Sequence, residues 1–337
     1  MKAHPTLKAN LTCFCVALTL LIAAANRAIA GAAPAYKINT AYTTIGGIVT
    51  PFWMSYEKGL FQKSGLEANL KFISAGPAIV SAVIAGNISI TTGGPEQFVS
   101  AILEGADLTI VAFEATTTPI ILYTQPNIMK MEQLKGESVA VSKLSSSSAY
   151  MLKVGLRQAG LEPMKDVTVI QAGGIPEAFA ALQGGKVKGA MLSPPTNYKA
   201  EAAGFRRLWS SLGVQFPGQV LVTRKSFLKN SEDVVLRFLQ ATSEGIYLFK
   251  TDKEEALRVL SKYTKVADRK VLEDTYNENK DVHTVTLQPT TSGIRSVLET
   301  LSISNAKAAT ARPEDFFDAR ALKKLENSGF FNTLAAR

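Results

Sequence analysis

Backbone amides at glycine-rich turns are the groups in this sequence best placed to bind a ligand. Gly76-Pro77, Thr92-Gly93-Gly94-Pro95 and Gly173-Gly174-Ile175-Pro176 each precede a segment of helical character. The start of a helix has free N–H groups and a partial positive charge, and glycine lets a ligand approach them closely. A single turn of this kind is better explained as an ordinary helix cap. Their recurrence in both halves of the chain indicates a crevice suited to an anionic or carbonyl-bearing solute.

Hydroxyl and acidic side chains lie beside these turns. Four consecutive serines, residues 145–148, stand at a predicted helix start, where they cap the helix or reach a bound oxyanion; a flexible loop with one capping serine fits equally well. Glu114 follows a predicted strand and could contact a cationic group of the ligand, although pairing with a lysine is the simpler role. The candidate ligand-binding residues are Tyr42, Thr43, Phe52, Trp53, Gly76, Thr92, Gly93, Gly94, Glu114, Thr116, Ser145, Ser146, Ser147, Gly173, Gly174 and Ser193.

Three of these candidates are aromatic and flank the first glycine turn, Gly46-Gly47. Tyr42, Phe52 and Trp53 could stack on a flat ligand or cover an aliphatic one. Packing in the hydrophobic core is the commoner fate of such side chains, so both roles stay open.

The inventory of nucleophiles and metal ligands argues against catalysis. Both cysteines, Cys13 and Cys15, lie in the first 30 residues, and the one histidine after them, His283, is predicted to lie at the surface. No P-loop or dinucleotide-binding fingerprint is present. We therefore expect a binding protein with no catalytic residue, no metal and no cofactor, although catalysis by carboxylates alone stays open.

The first 30 residues have the organisation of a secretory signal peptide. Lys2 and Lys8 form a basic start, residues 11–25 are an apolar run, and Ala28-Ile29-Ala30 has the small residues of a cleavage site. An uncleaved membrane anchor is the alternative, but the run is short for a span. No later segment reaches about 18 consecutive apolar residues, so we expect a soluble, monomeric protein in the periplasm.

The net charge of +9 does not indicate nucleic-acid binding, because the basic residues are scattered and no dense basic run is present. With 46% apolar residues, the 337-residue chain can bury a large core.

The elements that must position the turns alternate between strands and helices. This order predicts an α/β protein with parallel sheets covered by helices on both faces. After residue 225 the pattern changes to amphipathic helices, predicted at residues 233–250, 254–263, 268–280, 291–301 and 313–327. The predicted strands cover residues 36–43, 66–74, 88–92, 108–113, 120–124, 138–142, 167–171, 187–192, 207–211 and 220–223.

The sequence resembles the substrate-binding proteins of ABC importers for nitrate, taurine, aliphatic sulfonates and thiamine pyrimidine precursors, the SsuA/THI5-like (NMT1) group. The resemblance spans residues 36–329. It depends on motifs in both halves of the chain, namely Pro51-Phe52-Trp53, Glu57-Lys58-Gly59-Leu60-Phe61, Gly65-Leu66-Glu67, Leu134-Lys135-Gly136-Glu137-Ser138-Val139-Ala140-Val141 and Ala180-Ala181-Leu182-Gln183-Gly184-Gly185-Lys186-Val187. Lys188-Gly189 departs from the usual family pattern, and no arginine stands at a cleft turn.

The resemblance implies a type II periplasmic-binding-protein fold with two doubly wound lobes, a hinge and a helical C-terminal tail. Lobe one is then residues 31–118 and 219–337, lobe two is residues 119–218, and the hinge runs through residues 119–124 and 218–223. The implied function is capture of a small solute by lobe closure and its delivery to an ABC permease and ATPase. A pyrimidine-precursor synthase and a ligand-sensing periplasmic partner protein are the alternatives.

Overall fold

The computed structural model describes residues 35–74, 76–144, 146–302 and 305–337. The predicted signal peptide, residues 1–30, and the candidate Ser145 lie outside these described residues. The strands are β1 (Tyr36–Tyr42), β2 (Leu66–Phe72), β3 (Ile90–Gly93), β4 (Thr109–Ala115), β5 (Ile121–Thr124), β6 (Ser138–Val141), β7 (Thr168–Gln171), β8 (Gly189–Leu192), β9 (Arg206–Ser210) and β10 (Gln219–Thr223).

Helices cover and connect these strands. The α-helices are α1 (Thr50–Glu57), α2 (Leu60–Lys63), α3 (Pro77–Ile84), α4 (Glu96–Leu103), α5 (Ser147–Gln158), α6 (Ile175–Gln183), α7 (Thr196–Ala202), α8 (Lys225–Asn230), α9 (Glu232–Thr251), α10 (Lys253–Thr264), α11 (Arg269–Lys280), α12 (Thr291–Leu301), α13 (Lys307–Thr310), α14 (Arg320–Asn327) and α15 (Phe330–Ala335). Short 3₁₀ helices occur at Gly47–Val49, Met131–Leu134 and Pro313–Phe316.

Two five-stranded sheets form the framework. Sheet A has the order β2-β1-β3-β10-β4, and sheet B has the order β7-β6-β8-β5-β9. Strand β10 is antiparallel to β3 and β4, and β5 is antiparallel to β8 and β9, whereas β1 with β3 and β6 with β7 and β8 are parallel. The predicted parallel pairing is present in both sheets, and β5 and β10 add antiparallel pairs that were not predicted. The chain passes from one sheet to the other before β5 and again before β10, and each arriving strand enters antiparallel to its neighbours.

The burial of most strands follows their place in their sheet. The inner strands β3, β5, β8 and β10 are buried along their whole length, because helices cover both faces of the sheets. Strand β4 is also fully buried although it lies at the edge of sheet A, where Phe317 and His283 form bridges to it. The edge strand β2 has one buried residue, and the edge strands β7 and β9 are exposed or half-buried at most positions. Burial on both faces explains why the inner strands are short continuous apolar runs in the sequence.

The amphipathic helices after residue 225 pack on sheet A. Helix α9, 20 residues long, places Phe238 against Phe52 of α1 and Phe61 of α2, with ring centroids 6.0 and 4.7 Å apart. These residues belong to one buried cluster with Leu221 of β10 and Leu322 of α14. The predicted helical tail is thus part of the core around sheet A.

Two helical segments are interrupted. Helices α1 and α2 are separated at Gly59, whose φ of +64° favours glycine. The predicted helix over residues 313–327 breaks at Phe317, which forms a bridge to Ile110 in β4. The next amide, that of Asp318, donates to the Ile110 carbonyl at 2.8 Å. This pairing with the sheet overrides the local helical pattern.

Within the described part of the chain, no helix is both long and apolar enough to cross a membrane. The lobe boundaries at residues 118/119 and 218/219 remain predictions.

Candidate functional site

A cavity of about 320 Å³ lies between the two sheets, within the range typical of small-molecule sites. Its wall comes from the loop after β1, the turns after β3, β6 and β8, the two crossing segments and the start of α6. The lining residues are Thr43, Thr44, Ile45, Gly46, Gly47, Ile48, Gly94, Thr118, Pro119, Ile120, Ser142, Ser147, Ser148, Ile175, Ser193, Pro194, Gly218, Gln219 and Asn279. Most of them follow the carboxyl ends of strands, where open α/β sheets bind ligands.

Four of the sixteen candidate residues line this cavity. Thr43 follows β1, Gly94 follows β3, Ser147 begins α5 and Ser193 follows β8. They come from segments associated with both sheets, so the fold brings together turns that are up to 150 residues apart in the sequence.

The aromatic candidates lie elsewhere. Phe52 and Trp53 are 1% and 0% exposed and belong to the core around sheet A. Trp53 stacks on Tyr263 of α10 with centroids 4.4 Å apart, and Tyr42 meets the Trp53 ring edge-on at 5.5 Å. Helix α1 directs Phe52 and Trp53 into the core around sheet A, where burial removes both rings from water.

A buried polar group lies next to the cavity at the end of β3. The Thr92 hydroxyl contacts the Glu114 carboxylate and lies 3.3 Å from Oε1 of Gln219, which lines the cavity. Burial raises the pKa of Glu114 to about 7. The Glu114 side chain bonds the Thr92 hydroxyl, whereas the simpler role predicted for it was pairing with a lysine. Gly93 is adjacent, and a Cβ on it would come within 2.5 Å of the Thr43 hydroxyl.

The remaining glycine and threonine candidates surround the cavity without lining it. The Gly76 amide donates to Oε1 of Gln97, and the Gly173 amide donates to the Ser142 carbonyl at 2.8 Å. Gly174 caps α6, whose first residue Ile175 lines the cavity. Thr116 is exposed, and its hydroxyl lies 3.3 Å from the Val282 carbonyl.

The serine segment is ordered by its own hydrogen bonds. Ser146 is the N-cap of α5, and its hydroxyl donates to the Lys143 carbonyl at 2.6 Å. The Ser148 hydroxyl accepts from the Ser142 amide at 3.0 Å. The Ser147 amide donates to Oε1 of Glu96 at 2.7 Å. This last bond joins the start of α5, beside sheet B, to the start of α4, beside sheet A.

The surface position predicted for His283 was wrong. The residue is 3% exposed, and its Nδ1 lies 2.9 Å from the Glu114 carbonyl. Burial lowers the pKa of His283 to about 4. The segment between α11 and α12 lies against β4, where Ala115 and His283 form a bridge, and this pairing buries the ring.

Asn279 and Gln219 are the cavity residues that sequence reasoning missed most clearly. Gln219 has a signal in the sequence, since it is the polar first residue of an otherwise apolar strand. Asn279 has none, because it stands in an amphipathic helix far along the chain from the cleft turns. Among the described residues that line the cavity, every side chain is uncharged, and isoleucines at four positions add apolar surface.

Comparison with known proteins identifies relatives of this chain. A sequence model of the family described as NMT1/THI5 like matches residues 48–256. A putative ABC transporter periplasmic binding protein of Brachyspira hyodysenteriae is 25% identical over 247 residues, 72% of this chain and 66% of that protein. A putative aliphatic sulfonates-binding protein of Escherichia coli is 28% identical over 211 residues, 60% of this chain and 65% of that protein. The alignments span just under two thirds of the length of these two relatives.

Among solved structures, the periplasmic aliphatic sulphonate binding protein SsuA from Escherichia coli has a similar fold. The superposition covers 85% of this chain and 92% of that one, with a TM-score of 0.72 at 21% identity.

Proposed function

This chain belongs to the NMT1/THI5-like family, and we propose on that premise that it is the periplasmic solute-binding component of an ABC importer. The fold is the two-lobed α/β fold of periplasmic binding proteins, as predicted. The relatives named above are binding proteins, in agreement with the expectation that the chain is not an enzyme.

The observation that most supports solute capture is the composition of the cavity wall. Segments that lead into both sheets contribute to it, from Thr43 beside sheet A to Ser193 beside sheet B. A ligand in this position contacts both lobes at once and therefore stabilises their closed arrangement. In this proposal lobe one is residues 31–118 and 219–337, lobe two is residues 119–218, and the crossing segments at residues 119–124 and 218–223 are the hinge.

The wall also indicates the chemistry of the solute. Seven hydroxyl side chains, the Gln219 amide and the helix start of α6 supply hydrogen-bond donors for a carbonyl or an oxyanion. Four isoleucines supply apolar contact for a small organic body. We propose a small organic solute, anionic or carbonyl-bearing, that is released unchanged to the permease.

The test combines identification of bound solutes with thermal denaturation. Protein purified from cells under native conditions is analysed by mass spectrometry, and each co-purifying solute is added back to the ligand-free protein. We expect one chemical class to raise the melting temperature and to be recovered without chemical change. Recovery of a converted product, or no stabilisation by any extract fraction, would contradict the proposal.

A cavity-filling variant makes the test specific to the site. Ser193→Trp places a large ring in the cavity and should abolish the ligand-induced rise in melting temperature. Ser292→Trp, at an exposed serine outside the cavity lining, is the matched control and should retain it.

A further inference from the structure

One carboxyl group connects two helix starts beside the cavity. Glu96 is the first residue of α4, and its Oε1 accepts the Ser147 amide at the first residue of α5, at 2.7 Å. Glu96 also accepts its own backbone amide, and its neighbours Gly94 and Ser147 both line the cavity. The Glu96 carboxyl group therefore occupies amide donors at both helix starts.

Among the residues that the structure describes, no cationic side chain is bonded to this carboxyl group. The partners of Glu96 are amides and the Ser147 hydroxyl, and among the described lining residues every side chain is uncharged. Burial raises the pKa of Glu96, whereas the hydrogen bonds from the amides act in the opposite direction. An anion bound next to Glu96 would find these amides already occupied, and at any pH where Glu96 is ionised it would also meet a like charge in a partly desolvated site.

A second, independent feature indicates what the solute must supply. Asn279 lines the cavity and is 1% exposed. Its amide nitrogen donates to the Thr275 carbonyl at 2.8 Å, which leaves Oδ1 without a partner among the described residues. A buried acceptor without a donor is costly, so an N–H or O–H group of the bound solute is the natural partner.

We propose that Glu96 occupies, with its own carboxylate, the donors that an anionic head group would need, and that the cavity takes an uncharged solute with a carbonyl and an N–H group, a carboxamide. The carbonyl accepts from the hydroxyls of the wall, and the N–H group donates to Asn279. This inference rests on the proposed function and narrows its solute class.

The experiment compares acids with their amides of the same shape. An equimolar set of linear two- to eight-carbon carboxylates, the matching carboxamides, and benzoate with benzamide is offered to the wild type, and the retained members are quantified by mass spectrometry and calorimetry. We expect the wild type to prefer each retained amide over its acid by about tenfold or more, since 1.4 kcal/mol corresponds to a factor of ten.

Two variants assign the preference to named groups. Glu96→Gln keeps an acceptor for the Ser147 amide but removes the charge, and should reduce the amide-over-acid preference at least about tenfold. Asn279→Ala should weaken amide binding. Glu104→Gln, at the other end of α4, removes an equal charge outside the cavity lining and should behave as the wild type.

Each contrary outcome has a distinct meaning. A wild type that retains acids as well as amides, or an unchanged preference in both variants, overturns the inference. The inference is also wrong if no member of the set is retained while another solute is captured from a cell extract. Capture of nothing from either source contradicts the proposed function itself.

Discussion

At the scale of single residues, Glu114 and His283 are two buried titratable groups beside the cavity whose pKa values shift in opposite directions. Burial raises the pKa of Glu114 from 4.5 to about 7 and lowers that of His283 from 6.5 to about 4. Both shifts favour the uncharged form, as expected where desolvation dominates. The Thr92 hydroxyl connects Glu114 to Gln219 at the cavity wall. A change in the protonation of Glu114 therefore alters the hydrogen bonding at this part of the wall.

These shifts give opposite dependences of stability on pH. Between pH 4.5 and about 7 the folded state holds a proton on Glu114 that the unfolded state releases, so this group's contribution to stability falls as pH rises. Between about pH 4 and 6.5 the unfolded state holds a proton on His283 that the folded state lacks, so its contribution grows as pH rises. In the wild type the two slopes oppose each other.

Replacing Glu114 by Gln should remove one of these slopes. Relative to the wild type, Glu114→Gln should gain stability as pH rises from 4.5 to 7.5, by about 3 kcal/mol for a shift of this size. Urea denaturation at half-unit pH steps measures the difference. The exposed Glu132→Gln control should parallel the wild type, and a constant difference for Glu114→Gln across this range would show the assignment to be wrong.

At the scale of elements, one buried hydroxyl joins the first crossing segment to the residue that follows β9. Ser211 follows β9, and its hydroxyl accepts the Ile120 amide at 2.9 Å and donates to the Thr118 carbonyl at 2.6 Å. The Ser211 amide donates to the Ile120 carbonyl at 2.9 Å. Thr118 and Ile120 line the cavity, so this hydroxyl positions wall residues as well as the entry into β5.

Loss of the Ser211 hydroxyl should destabilise the first crossing segment. Ser211→Ala leaves the buried Ile120 amide and Thr118 carbonyl without this partner, and should cost about 1–3 kcal/mol in the free energy of unfolding. Amide hydrogen exchange should accelerate at Ile120. Ser210→Ala, one residue earlier, is the control and should leave exchange at Ile120 as in the wild type; equal effects of the two variants would disprove the role given to Ser211.

At the scale of the whole molecule, a second contact joins the two sheets' helical layers outside the cavity. Glu278 of α11 accepts from Arg207 of β9 at 2.9 Å and from Asn197 of α7 at 3.3 Å. Burial raises the pKa of Glu278, and the Arg207 charge acts against this rise. Under the proposed closure mechanism this contact is made in the closed arrangement and lost in the open one, so it shifts the equilibrium toward closure.

Glu278→Gln should therefore favour the open arrangement. We expect a larger radius of gyration by small-angle scattering and a several-fold weaker affinity for the solute, because closure must then be driven by the ligand alone. Glu273→Gln is the matched control, since Glu273 lies on the same helix but pairs with Lys253 and Arg269 beside sheet A. Identical scattering and affinity in Glu278→Gln and the control would refute the role of this contact.

Local sequence was sufficient to predict the order of strands, glycine turns and amphipathic helices, because each depends on residues close along the chain. All ten predicted strands are present with ends shifted by at most two residues, and helix α12 has the predicted bounds. The same turn chemistry predicted that Thr43, Gly94, Ser147 and Ser193 share one region, where the structure places them. The two-lobed fold was predicted from the resemblance to a known family.

Contacts between distant segments decided the rest. The antiparallel entry of β5 and β10, the break at Phe317 and the burial of His283 each arise from pairing with a strand far away in the sequence. Asn279 reaches the cavity only because α11 packs beside Gly47, where a Cβ would come within 2.4 Å of its amide nitrogen. The bond from Ser147 to Glu96, which occupies an amide donor beside the cavity, joins residues 51 positions apart. Such contacts depend on how the layers pack, and local periodicity contains no record of them.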